Sequence, residues 1–181
     1  MHNIAIKISL DQAVPYHLAL NPDIYFDAEV LQWIQSYMQE NGDVGLVLQK
    51  VLYSEGSIKY LAKLWPTPFD LIFRRFSPFR KFTDKRNEKH ELRISGYSKI
   101  INVPNLSGCI IFLRIDSLRK AGIFDECYFM YLEDVDLCRR IHRCYKTIFY
   151  PKTVTYHGYS KGSYKNKKPK MTSRTGFMMK R

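Results

Sequence analysis

The sequence predicts an α/β fold, and three observations predict it. The stretch 27–40 places Val30, Leu31, Ile34, Tyr37 and Met38 at helical spacing, the pattern of an amphipathic helix with one apolar face. Apolar runs of strand length lie on either side of it, at 16–20 and 44–48. A second helical stretch around Glu133–Arg140 is followed by further strand-like runs at 147–150 and 154–156. Elements of both kinds in alternation are expected to bury a sheet beneath helices.

Composition narrows the class. A chain of 181 residues suits one domain and can bury a sizeable core, and 45% hydrophobic with 14% aromatic residues excludes wholesale disorder. The formal charge of +12 favours anionic partners: nucleic acid, acidic lipid headgroups or a nucleotide diphosphate. Charge alone does not choose among them. Cys109, Cys127, Cys138 and Cys144 form no CxxC pair, which argues against a zinc site and for reduced thiols in the core. No apolar run approaches the length of a bilayer span, and the first residues show no basic segment followed by an apolar core, so a cytoplasmic location is expected.

Taken in order, the strand at 16–20 is expected to be buried and runs straight into Asn21, Pro22 and Asp23. An acidic turn at the end of a strand places its carboxylate at the carboxyl edge of the sheet, where open α/β sheets bind ligands, although the same residues also serve simply to stop a strand. Asn41 and Gly42 end the helix, and 44–48 reads as a core strand with no chemistry of its own. Over 54–101 the pattern breaks down. Bulky apolar residues interleave with Lys63, Arg74, Arg75, Arg80 and Lys81, while Pro66, Pro68 and Pro78 interrupt any long helix. The polar run 83–93 reads as a mobile loop that leaves His90 in solvent. A turn and then a strand are expected over 103–113, with Gly108 allowing a close backbone approach. Asp116 is expected to cap a short helix that Gly122 stops. A strand at 147–150 is expected to end at Pro151, and a further run leads to His157, a residue type that on its own is usually satisfied or solvated.

The densest chemistry lies in FDECYFMYLEDVDLCRR, where Glu133, Asp134 and Asp136 fall among Phe129, Met130, Tyr131, Leu132, Val135 and Leu137. Such a setting holds at least one carboxylate against an apolar wall, which raises its pKa and keeps it basic enough to accept a proton. The competing reading is structural: acids in the first turn of a helix suit its positive end, and Arg139 and Arg140 pair with them.

FDE, the aromatic run, EDVDLCRR, the strand ending in YP and the YH pair resemble the second half of inverting glycosyltransferases of family 2, and among these the bacterial rhamnosyltransferases that use dTDP-rhamnose. HNIAI, HLALNPDI, KLWPTPFDLIFRRF and NVPNLSGCIIFLR follow the family's order, so the resemblance runs from about residue 2 to 165, with 166–181 a basic tail. It implies an incomplete GT-A domain, Rossmann-like with a mixed sheet, whose amino-terminal nucleotide-binding strands are missing and whose end is clipped. NPD resembles a variant of the DxD motif, which implies that Asp23, with Asn21 beside it, meets the donor's phosphates through Mg²⁺ or Mn²⁺. His157 matches the family's metal-binding histidine. Asp134 becomes the catalytic base with Glu133 next to it, and Glu133 and Asp136 become orienting residues that hydrogen-bond the acceptor or brace the helix. Ser107 and Gly108, in the SGC block, would lie beside the sugar and acceptor. The implied partners are a nucleotide-sugar donor, most simply dTDP-rhamnose, and a glycan or lipid-linked acceptor. The basic, aromatic segment 59–81 would lean on the inner face of the membrane or on the acceptor, and in the absence of a zinc-finger or RNP-type motif nucleic acid is not an expected partner. The rival expectation is an inactive, truncated member acting at most as a basic binding protein, or one completed by another chain.

Overall fold

The computed structural model describes residues 2–65, 88, 90–106, 108–128 and 132–158. In chain order these form α1 (His2–Asp11), β1 (Tyr16–Leu20), β2 (Ile24–Tyr25), α2 (Ala28–Glu40), β3 (Val44–Tyr53), β4 (Ile58–Lys59), β5 (Ala62–Lys63), a 3₁₀ turn (Arg93–Ser95), β6 (Ile101–Asn102), β7 (Asn105–Leu106), β8 (Ile110–Arg114), α3 (Ile115–Ala121), α4 (Glu133–His142) and β9 (Lys146–His157). The fold is mixed α/β. Its main sheet runs β1-β8-β3-β9-β2, with β4 added to β3 and β6 to β9, while β5 and β7 pair separately. β3 is parallel to β9 and antiparallel to β8, and β8 is antiparallel to β1, so β1, β3 and β9 all point the same way.

Over 44–48 β3 is apolar without alternation because both of its faces are covered. Leu46 and Leu48 pack with Ile6, Ile115, Leu118, Leu137 and Ile141 from α1, α3 and α4. Val44 and Val47 pack on the other side with Val30, Ile34 and Met38, the expected apolar face of α2. β3 is five residues longer than the apolar run 44–48, because Gln49–Tyr53 find partners in β9 and β4.

Several expectations are corrected. β1 has the expected bounds but is half-buried, since it ends the strand path and α1 covers it only in part. β9 does not stop at Pro151: it continues to His157, and the register with β3 jumps from Gln49↔Tyr150 to Lys50↔Val154. Residues 151–153 bulge out there, which lets a residue with no N–H sit inside a strand. Arg114, not Asp116, holds the cap position of α3, and Asp116 pairs with Arg119 at 2.7 Å. Gly122 does end α3, at a φ of 81° that favours glycine. Of the four thiols only Cys109 and Cys138 are in the core; Cys127 and Cys144 are exposed. Glu91, Leu92 and Arg93, expected in a mobile loop, instead lead into the 3₁₀ turn, and the backbone carbonyl of His90 accepts the Leu64 N–H at 2.9 Å.

Among the described residues no helix is long and apolar enough to cross a membrane. The basic segment from Pro66 to Lys81, Ser107 and the tail 166–181 lie outside the described residues.

Candidate functional site

Because β1, β3 and β9 are parallel, Leu20, Tyr53 and His157 finish at one edge of the sheet, and antiparallel β8 begins there. The Asn21 N–H donates to the Cys109 carbonyl at 2.8 Å, which ties the turn after β1 to the entry of β8. Ile24 of β2 pairs with His157, and the Gly158 N–H donates to the Asp23 carbonyl at 2.7 Å. A Cβ on Gly158 would lie 2.9 Å from Tyr25 Cε2 and 3.2 Å from the Asp23 carbonyl oxygen, so glycine gives this closure its room. The result is that Asp23 Oδ2 stands 3.6 Å from His157 Nε2, with the imidazole buried and the carboxylate partly open to solvent.

α4 brings its first turn to the same edge. Asp134 Oδ2 accepts the Gly108 N–H at 3.1 Å, and Oδ1 accepts the Val135 N–H at 2.8 Å. Burial pushes the Asp134 pKa up, the two backbone donors pull it back and the neighbouring Glu133 charge raises it again; the net shift is upward. The Gly108 contact requires a bare α-carbon: a Cβ there would sit 2.6 Å from Ile111 Cγ1. Glu133 Oε2 is buried and has no hydrogen-bond partner among the described residues. A cavity of about 190 Å³ opens between these groups, lined by His2, Asn21, Gly108, Cys109, Glu133 and Asp134 together with apolar Ala19, Leu20, Ile111 and Phe124.

Asn21, Gly108, Glu133 and Asp134 thus share one cavity, and Asp23 and His157 meet beside it. Asp136 is not brought there. Its Oδ2 accepts Arg140 Nε at 2.8 Å and its Oδ1 lies 3.6 Å from Arg139, while Arg140 also donates to the Ile123 carbonyl at 2.8 Å. Asp136 therefore braces α4 against the loop after α3, and the structural reading of this acid applies in place of an acceptor contact. Ser107, expected next to Gly108, is outside the described residues. His2, Cys109 and Phe124 also line the cavity; they fall in the quoted HNIAI, SGC and FDE blocks, but no residue type or spacing there gives His2 or Phe124 a role of its own.

Among the described residues no group of three or more His, Cys, Asp or Glu side chains could hold a metal ion. The Asp23–His157 pair nevertheless fits two ligands of one cation: donors about 2.1–2.3 Å from an ion and roughly 90–110° apart lie about 3.0–3.8 Å from each other. One carboxylate oxygen and one imidazole nitrogen suit Mn²⁺ better than Mg²⁺, which prefers oxygen alone. Neither a protein-family model nor a curated protein matches the chain.

Proposed function

We propose that the chain is a GT-A-type glycosyltransferase domain that transfers a sugar, with inversion, from a nucleotide diphosphate donor to a hydroxyl of a glycan or lipid-linked acceptor. The observation that carries the reading is the convergence of Asp134, Asp23 and His157 on one sheet edge from three separate parts of the chain. Rhamnose from dTDP-rhamnose is the sugar to test first, on the strength of the sequence blocks quoted above. Contact with the inner face of the membrane through the basic segment belongs to the same reading.

Asp134 is the base. Its carboxylate is half-buried, has among the described residues only backbone amides as its hydrogen-bond donors, and faces the cavity, so lone pairs remain to meet an acceptor hydroxyl. As the acceptor oxygen attacks the anomeric carbon, its proton passes to Asp134, the new C–O bond forms, and the bond to the diphosphate breaks with its electron pair leaving on the diphosphate. Attack comes from the face opposite the leaving group, which inverts the centre. The Gly108 amide holds the carboxylate in place, and Glu133, which lines the same cavity, is the residue nearest in sequence to meet a second acceptor hydroxyl. A Mn²⁺ or Mg²⁺ ion on Asp23 and His157 would supply positive charge against the leaving diphosphate. The cavity is smaller than the 300–1,000 Å³ or so of sites that bury drug-sized ligands, which suits a sugar ring or the reactive end of an acceptor.

Titration with dTDP-rhamnose and with UDP-sugars, with and without Mn²⁺, tests the reading. Metal-dependent binding of one donor, lost in Asp23→Asn, is the expected result; indifference to every donor in the presence of Mn²⁺ would overturn it.

A further inference from the structure

Lys59 is the one cation from β4 that reaches this edge. It pairs with Val51 of β3, which also pairs with Thr155 of β9. Alternation along a strand puts residues two apart on one face, so Lys59, Tyr53 and His157 lie on the same side of the sheet. The side chains agree: Lys59 Nζ is 5.7 Å from the centre of the Tyr53 ring, and that ring meets His157 edge-on at 6.5 Å. Cys109 lies between the two halves of the site. Its thiol feels both the Lys59 ammonium, which lowers its pKa, and the Asp23 carboxylate, which raises it, against a dominant upward push from burial. Cys109 also lines the cavity that holds Asp134. Among the described residues Lys59 forms no ion pair, unlike Lys146 at the opposite end of the sheet, which contacts Asp43 at 2.5 Å.

We propose that Lys59 is a diphosphate-binding residue, placed beside the Asp23–His157 pair to neutralise the phosphate next to the transferred sugar. This rests on the glycosyl-transfer reading. The chemical need is plain: a leaving diphosphate carries more negative charge than one divalent ion cancels, and the carboxylates of Asp23, Glu133 and Asp134 add to that charge. An ammonium held over a tyrosine ring beside the cation site supplies a point charge that does not require the metal. Lys59 is therefore a binding residue for the leaving group and has no part in proton transfer.

Calorimetric titration with inorganic pyrophosphate, with Mn²⁺ in excess and again without it, removes any dependence on base or sugar. Wild type, Lys59→Met, Lys59→Arg, Asp23→Asn and Lys146→Met are compared, with thermal melts to confirm folding. Lys59→Met should weaken pyrophosphate roughly tenfold or more in both conditions, Lys59→Arg should retain most of the affinity, and Lys146→Met, which deletes the same charge at the far edge, should change nothing. Equal loss in Lys59→Met and Lys146→Met would assign binding to the general field of a +12 chain and overturn the proposal. If Asp23→Asn abolishes the Mn²⁺ dependence while Lys59→Met binds like wild type, the function stands and the role of Lys59 falls. Should wild type ignore pyrophosphate even with Mn²⁺, both fall together.

Discussion

The two ends of the main sheet are built from the same kinds of residue and treat charge in opposite ways. At the end where β3 and β9 begin, polar groups are tied to partners. Arg114 donates to the carbonyls of Val44 at 2.7 Å and Asn41 at 3.1 Å, and also to that of Met38, closing the carboxyl end of α2. Asp43 is paired with Lys146, which holds the Asp43 carboxyl below its usual range. At the other end, among the described residues, Asp134 is half-buried with no cation on it, Glu133 keeps a buried oxygen without a partner, and Asp23 meets only an imidazole beyond hydrogen-bond distance. The first end spends its charges on the fold, where a cation at a helix terminus satisfies orphan carbonyls. The second leaves charges available, and proteins tolerate that chiefly where a ligand completes the set.

Substitutions at the two ends should therefore separate activity from stability. Asp134→Asn should slow sugar transfer by roughly 10²-fold or more in a competent assay while leaving the melting temperature at pH 7.5 unchanged or higher. The sign follows from its raised pKa. A carboxyl whose folded pKa lies above its unfolded one contributes stability at low pH and loses it as pH rises through the folded value, so the ionised group costs stability at neutral pH. A large fall in melting temperature would place Asp134 with the structural acids. Arg114→Met should do the converse, costing about 2 kcal/mol of stability through its orphaned carbonyls and leaving Mn²⁺ affinity intact. Lost metal binding in that folded variant would dissolve the distinction.

Smaller effects sharpen it. Gly158→Ala forces a methyl towards Tyr25 and the Asp23 carbonyl, so Mn²⁺ affinity should drop roughly tenfold, with partial recovery when Tyr25→Ala is added. No change in affinity would mean that the backbone clasp does not position the pair. The weakest effect is on pH dependence. Burial lowers the pKa of His17 and of His142, which sits 2.7 Å from Thr147 Oγ1. Histidines with folded pKa below their ordinary value of about 6.5 contribute stability above that value and lose it as pH falls through the folded one. Melting temperature should accordingly decline modestly between pH 7 and 5, and a profile flat over that interval would contradict it.

What was legible in the sequence follows from how local each cause is. The helix at 27–40 was readable because its apolar period is set by its own residues, and β1 because a five-residue, mostly apolar run ends on a proline turn. Two-residue strands such as β2, β4 and β7 were not, since only their partners make them strands. The continuation of β9 past Pro151 depends on a bulge that exists only opposite β3. The pairing of Asp136 with Arg139 and Arg140 was legible, because three- and four-residue spacing on a helix brings those side chains together, and two residues from Asp134 it must point away from that carboxylate. The Asp23–His157 meeting was suggested by family resemblance and not by spacing, while His2, Phe124 and Lys59 reach the edge purely through tertiary packing.

The central claim is that the carboxyl edge holds a divalent cation for chemistry and the opposite edge does not. The most direct test is paramagnetic broadening of assigned amide resonances by substoichiometric Mn²⁺. The account predicts selective loss of the Asn21, Asp23, His157 and Gly158 signals, abolished by Asp23→Asn, with Leu46, Leu113 and Arg114 unaffected. Broadening centred on Asp43 and Lys146, or spread evenly over the acidic surface, would contradict it.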